Sequence, residues 1–225
     1  MGLVLSVGFY AAFLFFTAGY LVRMLGWARY APQQALPGGI ISLCTCLGAL
    51  ADIVLFRRLL RLNDVLWAGE WIFHASLLVL FLGHLKYILD PVPAFIASME
   101  IPARIAAWLL PASLLYIGIM KVVIEKKAYV SSYNFMLLGL IAASGISGLV
   151  MKYSLRADLV NVKHFTMGLV TLHPAALPVS PVFTVHVLLF LVLFACLPTH
   201  VFAAPLTMLE ARQRDEELRS LMHEK

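Results

Sequence analysis

Charge is scarce in this chain. Asp, Glu, Lys and Arg make up only 13% of its 225 residues, about half the share of an ordinary soluble domain. Apolar residues reach 62% and mean hydropathy is +0.90. One aqueous core cannot hold that much apolar surface, so most of it must face lipid or other membrane helices. Cysteine is scarce too. Cys44, Cys46 and Cys196 all sit in apolar surroundings. They give neither a disulfide framework nor the four-thiolate spacing of an iron–sulfur or zinc site. No internal repeat is visible. The first apolar run has neither the basic flank nor the small-residue cleavage site of a secretory signal. The net charge of +5 does not mark a nucleic-acid partner, because the basic residues lie in short clusters beside apolar runs, as membrane loops do.

A membrane helix needs roughly 20 mostly apolar residues. Five segments qualify: about 3–23, 71–89, 105–124, 133–152 and 182–203. Pro91, Pro93, Pro102, Pro174, Pro178 and Pro181 fall in the connections, where helices should break. No carboxylate lies deep in any of the five. The expected fold is therefore all-α and integral to the membrane, a five-helix bundle over 1–209 with a charged tail at 210–225. A sixth run, 40–56, contains Asp52 and is preceded or interrupted by Gly38, Gly39 and Gly48.

The basic residues decide its place. With five crossings, one side holds Arg23, Arg29, Arg57, Arg58, Arg61, Lys121, Lys126, Lys127, Arg212, Arg214, Arg219 and Lys225. The other holds Lys86, Arg104, Lys152, Arg156 and Lys163. This 12-to-5 asymmetry follows the positive-inside rule, and a crossing at 40–56 would blur it. That run is expected to be an interfacial or re-entrant helix on the cytoplasmic side. The N-terminus then faces outward. The tail is cytoplasmic, either a solvated helix end or a dock for a soluble partner. Trp27, Trp67, Trp71 and Trp108 lie near span ends as interfacial belt residues.

Seven histidines are present. His223 is in the tail, and His164 and His173 are in the outer connection. There, with Asp158 and Lys163, they read chiefly as parts of a polar loop. The other four lie in or at the ends of two spans: His74 and His84 on the second, His186 and His200 on the fifth. A strongly polar side chain in a span is costly and usually functional. One such histidine is readily explained by a hydrogen bond to a neighbouring helix; two on each of two helices are not. Neutral imidazoles on facing helices can hold a haem iron from both sides.

His74 and His84 stand about 15 Å apart along a helix, and His186 and His200 about 21 Å. The second and fifth spans run antiparallel, so the first histidine of one meets the last of the other. His74 pairs with His200 toward the cytoplasm, and His84 with His186 toward the outside. Two haems b are expected, stacked across the membrane. The small residues from Ala142 to Gly148 either bring helices close or make room for a macrocycle.

These residues resemble a known family. Phe73-His74 and Gly83-His84, ten residues on, resemble the second span of respiratory nitrate reductase gamma subunits. The run from His186 to Phe194, then Leu197-Pro198, His200 and Pro205, resembles the fifth. The spacing of the last two histidines is about one helical turn shorter here, a change that preserves their face. Three stretches are more similar still to membrane cytochrome b subunits of two sulfate-reducer assemblies, the high-molecular-weight cytochrome complex and the sulfite-reductase-linked membrane complex. They are Phe56 to Arg61, Gly83 to Tyr87, and Gly168 to Pro174. The likeness covers roughly 50–205.

The resemblance implies five membrane helices, two bis-histidine haems b and a site for menaquinone or another quinone near the outer haem. At that site Gly83 and either Lys86 or Arg104 match. It further implies a cytoplasmic iron–sulfur subunit, other membrane subunits and a periplasmic multihaem cytochrome c as partners, in a bacterial or archaeal cytoplasmic membrane. The chain would be an electron-transfer subunit of a quinone-linked oxidoreductase, not a stand-alone enzyme. A transporter or proton channel without haem is the alternative, although such proteins usually show repeats and interrupted midplane helices.

Overall fold

The computed structural model describes residues 2–34, 43–123 and 131–223. Gly38, Gly39, Lys126, Lys127 and Lys225 lie outside the described residues. Every regular element among the described residues is helical. In chain order these are α1 (Gly2–Gln34), α2 (Leu43–Val54), α3 (Arg57–Leu62), α4 (Asp64–His84), a 3-10 turn (Leu85–Tyr87), α5 (Ala94–Ser98), α6 (Glu100–Val123), α7 (Ser132–Tyr153), α8 (Leu159–Val170), α9 (Pro181–Cys196) and α10 (Pro198–His223).

Among the described residues, four segments are long and apolar enough to cross a membrane: Gly2–Arg29, Asp64–Tyr87, Glu100–Val123 and Ser132–Tyr153. The fifth expected span, 182–203, is divided. Pro198 carries no N–H and disfavours helical backbone at the residue before it. The chain turns at Leu197, and His200 N donates to Leu197 O at 2.9 Å as a new helix begins. The 16 residues of α9 rise only about 24 Å, short of a hydrocarbon core of roughly 30 Å.

The chain falls into two compact units, Met1–Ala12 with Val65–Phe194, and Phe13–Asp64 with Ala195–Lys225. In the first, α6 and α7 lie side by side. A Cβ on Gly145 of α7 would come within 2.9 Å of Leu110 on α6, so the small-residue stretch does provide a close helix contact. Gly69 of α4 works the same way: a Cβ there would stand 2.5 Å from the Tyr116 ring of α6, whose hydroxyl donates to Val65 O at 2.9 Å. Gly69→Ala must push that ring away. A loss of about 1–3 kcal/mol is expected for such overpacking, readable as a lower Tm in detergent.

The connection read as a polar loop contains α8, an amphipathic helix that supplies core. Asp158 caps it, accepting from Val160 N at 2.9 Å. Phe165 of α8 is fully buried and meets Phe183 of α9 edge-on at 5.9 Å, amid Leu5, Leu169 and Leu191. Lys163 pairs with Asp90 at 3.2 Å, and His173 Nδ1 lies 2.7 Å from Thr171 O. Along the long helices many large apolar side chains are exposed, as at Leu14, Phe81, Leu115 and Leu188, which is how lipid-facing helices differ from soluble ones.

In the second unit, α10 lies along α2. At 12 residues, α2 is about 18 Å long, too short to cross. Its polar side, Thr45 and Asp52, is buried, while Leu43, Leu47, Leu50 and Val54 form an exposed aliphatic stripe. The tail supplies the polar partners. Arg212 donates to Asp52 and to Glu216, both at 2.9 Å. Thr45 donates to Glu216 at 2.6 Å, and Arg58 to Asp215 at 2.7 Å. Trp27 Nε1 donates to Glu210 at 2.7 Å, a specific bond for a residue expected only in the interfacial belt. The tail is thus folded onto its own chain.

Candidate functional site

His84 is the last residue of α4, and His186 lies in the second turn of α9. The sequence pairs them, and the first unit brings them together. Their rings are nearly parallel, 15° apart, with centroids separated by 6.3 Å. A direct N–H···N hydrogen bond would draw the centroids to about 5 Å. Two metal–nitrogen bonds of about 2 Å, together with the half-width of each ring, place them roughly 6 Å apart. The observed separation suits two imidazoles facing one iron.

The tautomers suit it as well. His84 Nδ1 lies 2.7 Å from Leu80 O, one turn back. A carbonyl only accepts, so Nδ1 carries the proton and the lone pair is on Nε2. His186 Nδ1 lies 2.9 Å from Ser147 Oγ on α7. That hydroxyl donates to Ser144 O at 2.8 Å, so toward His186 it can only accept. Both rings are therefore held by Nδ1 and offer Nε2, the usual outer-shell arrangement of metal-binding histidine. Gly148 leaves the space, since a Cβ there would lie 3.3 Å from His186 Cε1. The same small-residue stretch thus serves a helix contact at Gly145 and a ligand contact at Gly148.

His74, three turns earlier on α4, repeats the pattern of His84. Its Nδ1 lies 2.8 Å from Glu70 O, and Phe73 meets its ring edge-on at 4.5 Å. His200 is exposed in the first turn of α10. His74 belongs to the first unit and His200 to the second. Their pairing rests on the sequence spacing.

The quinone-site candidates border the His84 end of α4. Lys86 sits over the Tyr87 ring at 5.1 Å, and Tyr87 meets the His84 ring edge-on at 6.1 Å. At Gly83 the close neighbour is Ala103 of α6, 3.0 Å from where a Cβ would stand. Arg104 follows Ala103 and is exposed. An open apolar groove of about 480 Å³ runs between Ala143, Ile146, Ser147 and Val150 of α7 and Pro181, Val182, Val185 and Leu189 of α9. It has the chemistry of a hydrocarbon-chain site.

Two features escaped sequence reasoning. Ser147 read as a helix-packing residue, and only its place one turn after Ser144 and beside a glycine hinted at a hydrogen-bonding role. Glu70 fell just outside the expected span at 71–89. Because α4 begins at Asp64, it lies in the second turn, 3.4 Å from Lys121 of α6, each side chain only 18% exposed.

Two proteins of recorded function match the chain. One is the Hdr-like menaquinol oxidoreductase cytochrome b-like subunit of Archaeoglobus fulgidus, 29% identical over 239 aligned positions. The other is the subunit of the same name from Archaeoglobus profundus, 25% identical over 211. The alignments cover 84% and 73% of this chain, and 72% and 63% of the relatives. The chain is a distant homologue of these cytochrome b-like subunits. No protein-family model matches it, and no solved structure does. Neither relative is named for nitrate reductase, so that part of the resemblance rests on the motifs alone.

Proposed function

We propose that this chain is a dihaem cytochrome b subunit of a membrane redox complex, carrying electrons between a quinone pool and partner subunits. The observation that carries the reading is the His84–His186 pair, two near-parallel imidazoles 6.3 Å apart, each held through Nδ1. Haem iron, when bound, supplies one-electron chemistry. The chain's part is to present Nε2 from α4 and α9, to fix both ring planes and to surround the site with apolar side chains. His74 and His200 hold the second haem. Lys86 or Arg104 steadies a quinone oxygen near Gly83, where a cation favours the negative charge of reduction. The groove between α7 and α9 takes a quinone's hydrocarbon tail.

In this reading α9 with the first turns of α10 forms the fifth crossing. The N-terminus faces outward and the tail faces the cytoplasm. The relatives' name supports menaquinol as the quinone and an oxidoreductase with Hdr-like subunits as the assembly. An iron–sulfur subunit on the cytoplasmic side and a multihaem cytochrome c outside are the expected neighbours.

The test is a reduced-minus-oxidised spectrum of the purified chain with pyridine haemochrome quantitation. Two haems b per chain are expected. A haem-free protein that is folded and membrane-inserted would point instead to a histidine-containing transporter or proton channel.

A further inference from the structure

His74, His84 and His186 are not held alike. His74 and His84 each bond the carbonyl four residues back on their own helix, Glu70 O and Leu80 O. Such a bond moves with the helix that carries the ring. His186 reaches across to another helix, to Ser147 Oγ of α7 at 2.9 Å. That oxygen is buried and aligned by its own bond to Ser144 O at 2.8 Å. Gly148, the next residue, is what lets the imidazole lie so close to α7.

We propose that Ser147 is a positioning residue for His186. Its hydroxyl fixes the ring's tautomer and plane and so tunes the reduction potential of the iron held there. The inference rests on the haem reading above. The direction follows from the bond. An acceptor on Nδ1–H makes the imidazole a better electron donor through Nε2. Better donation stabilises ferric iron and lowers the potential. Without the hydroxyl, His186 loses its side-chain acceptor on α7 and becomes a weaker donor, and the Ser144 carbonyl beside the ring holds its plane less closely to that of His84.

Ser147→Ala is expected to keep two haems b by pyridine haemochrome and to raise the midpoint potential of one of them. The expected size is on the order of a tenfold change in the reduced-to-oxidised ratio at a fixed electrode potential, about 59 mV for one electron. The low-spin EPR g-values of the same haem should move as its two ring planes rotate apart, while the other haem stays at its wild-type values.

Ser147→Thr, which keeps the hydroxyl and can still bond the preceding turn, should stay near wild type. Ser144→Ala is the control. Its hydroxyl is buried without a hydrogen-bond partner among the described residues, and only its backbone carbonyl serves Ser147. If Ser147→Ala loses one haem while Ser147→Thr keeps both, the positioning role is supported. The proposal is overturned if Ser147→Ala leaves potential and g-values unmoved, if Thr shifts them as much as Ala, or if Ser144→Ala gives the same shift. A wild-type chain without haem would defeat the functional reading itself, a separate outcome.

Discussion

Alanine at His186 is expected to remove one of the two proposed haems b and to leave the other in place. Alanine at His84 removes the same haem, and the double variant loses no more than either single one. On the proposed pairing, alanine at His74 or His200 is expected to remove the other haem. The pairing, rather than the mere presence of four histidines, dictates this pattern. A ring left facing a methyl group has no opposite imidazole to complete the iron's axial pair. Removing even a hydrogen-bond partner of a metal ligand costs 10- to 100-fold in affinity, so a lost ligand should exceed about 100-fold. Haemochrome content of each variant, with a potentiometric titration to identify the surviving centre, reads the result. Retention of both haems by the His84, His186 and double variants would remove the basis for the proposed site, since the 6.3 Å separation of these rings is its central observation.

The second large effect is expected in the other unit. Asp52 is 7% exposed, and Arg212 is its partner. The hydrogen bond that Arg212 donates to Asp52 holds the guanidinium above its ordinary, already high value, so the cation persists at any working pH. Arg212→Ala leaves a buried carboxylate without it. For a fully buried pair that costs about 3–5 kcal/mol. Here Arg212 keeps 30% of its side chain exposed, and about 2–3 kcal/mol is a better expectation. Amide exchange in α10 should then quicken by roughly 30- to 150-fold, without change in haem content.

Gly48 gives an independent route to the same state. A Cβ there would fall onto the Arg212 guanidinium, so Gly48→Val must displace it. Replacing Asp52 by Leu together with Arg212 by Met should cost less than Arg212→Ala alone, because no charge is then left buried. Unchanged exchange in both Arg212→Ala and Gly48→Val would show that the tail is not held by these contacts.

The approach of His84 to His186 was legible in the sequence because two strong regularities point to it. Apolar runs of membrane length fix where the helices are, and histidine is rare enough inside them that its spacing carries information. Helix ends were less legible. The second span was expected at 71–89 and its helix begins at Asp64, because polar residues such as Glu70 hide a helix's first turns from a reading based on hydropathy. The division at Leu197 was signalled by Pro198 but did not show in the apolar pattern, which runs on past it.

By itself the sequence determined that this chain is helical, that it belongs in a membrane and which histidines are candidates to meet. Those properties follow from composition and from a fixed rise per residue, both local quantities. Only the tertiary structure decided what holds the rings and what covers the charges: Ser147 at His186, Lys121 beside Glu70, Arg212 over Gly48 and against Asp52. Each of these contacts joins residues far apart in the chain, and hydrogen-bond geometry between separate helices leaves no periodic trace along the sequence.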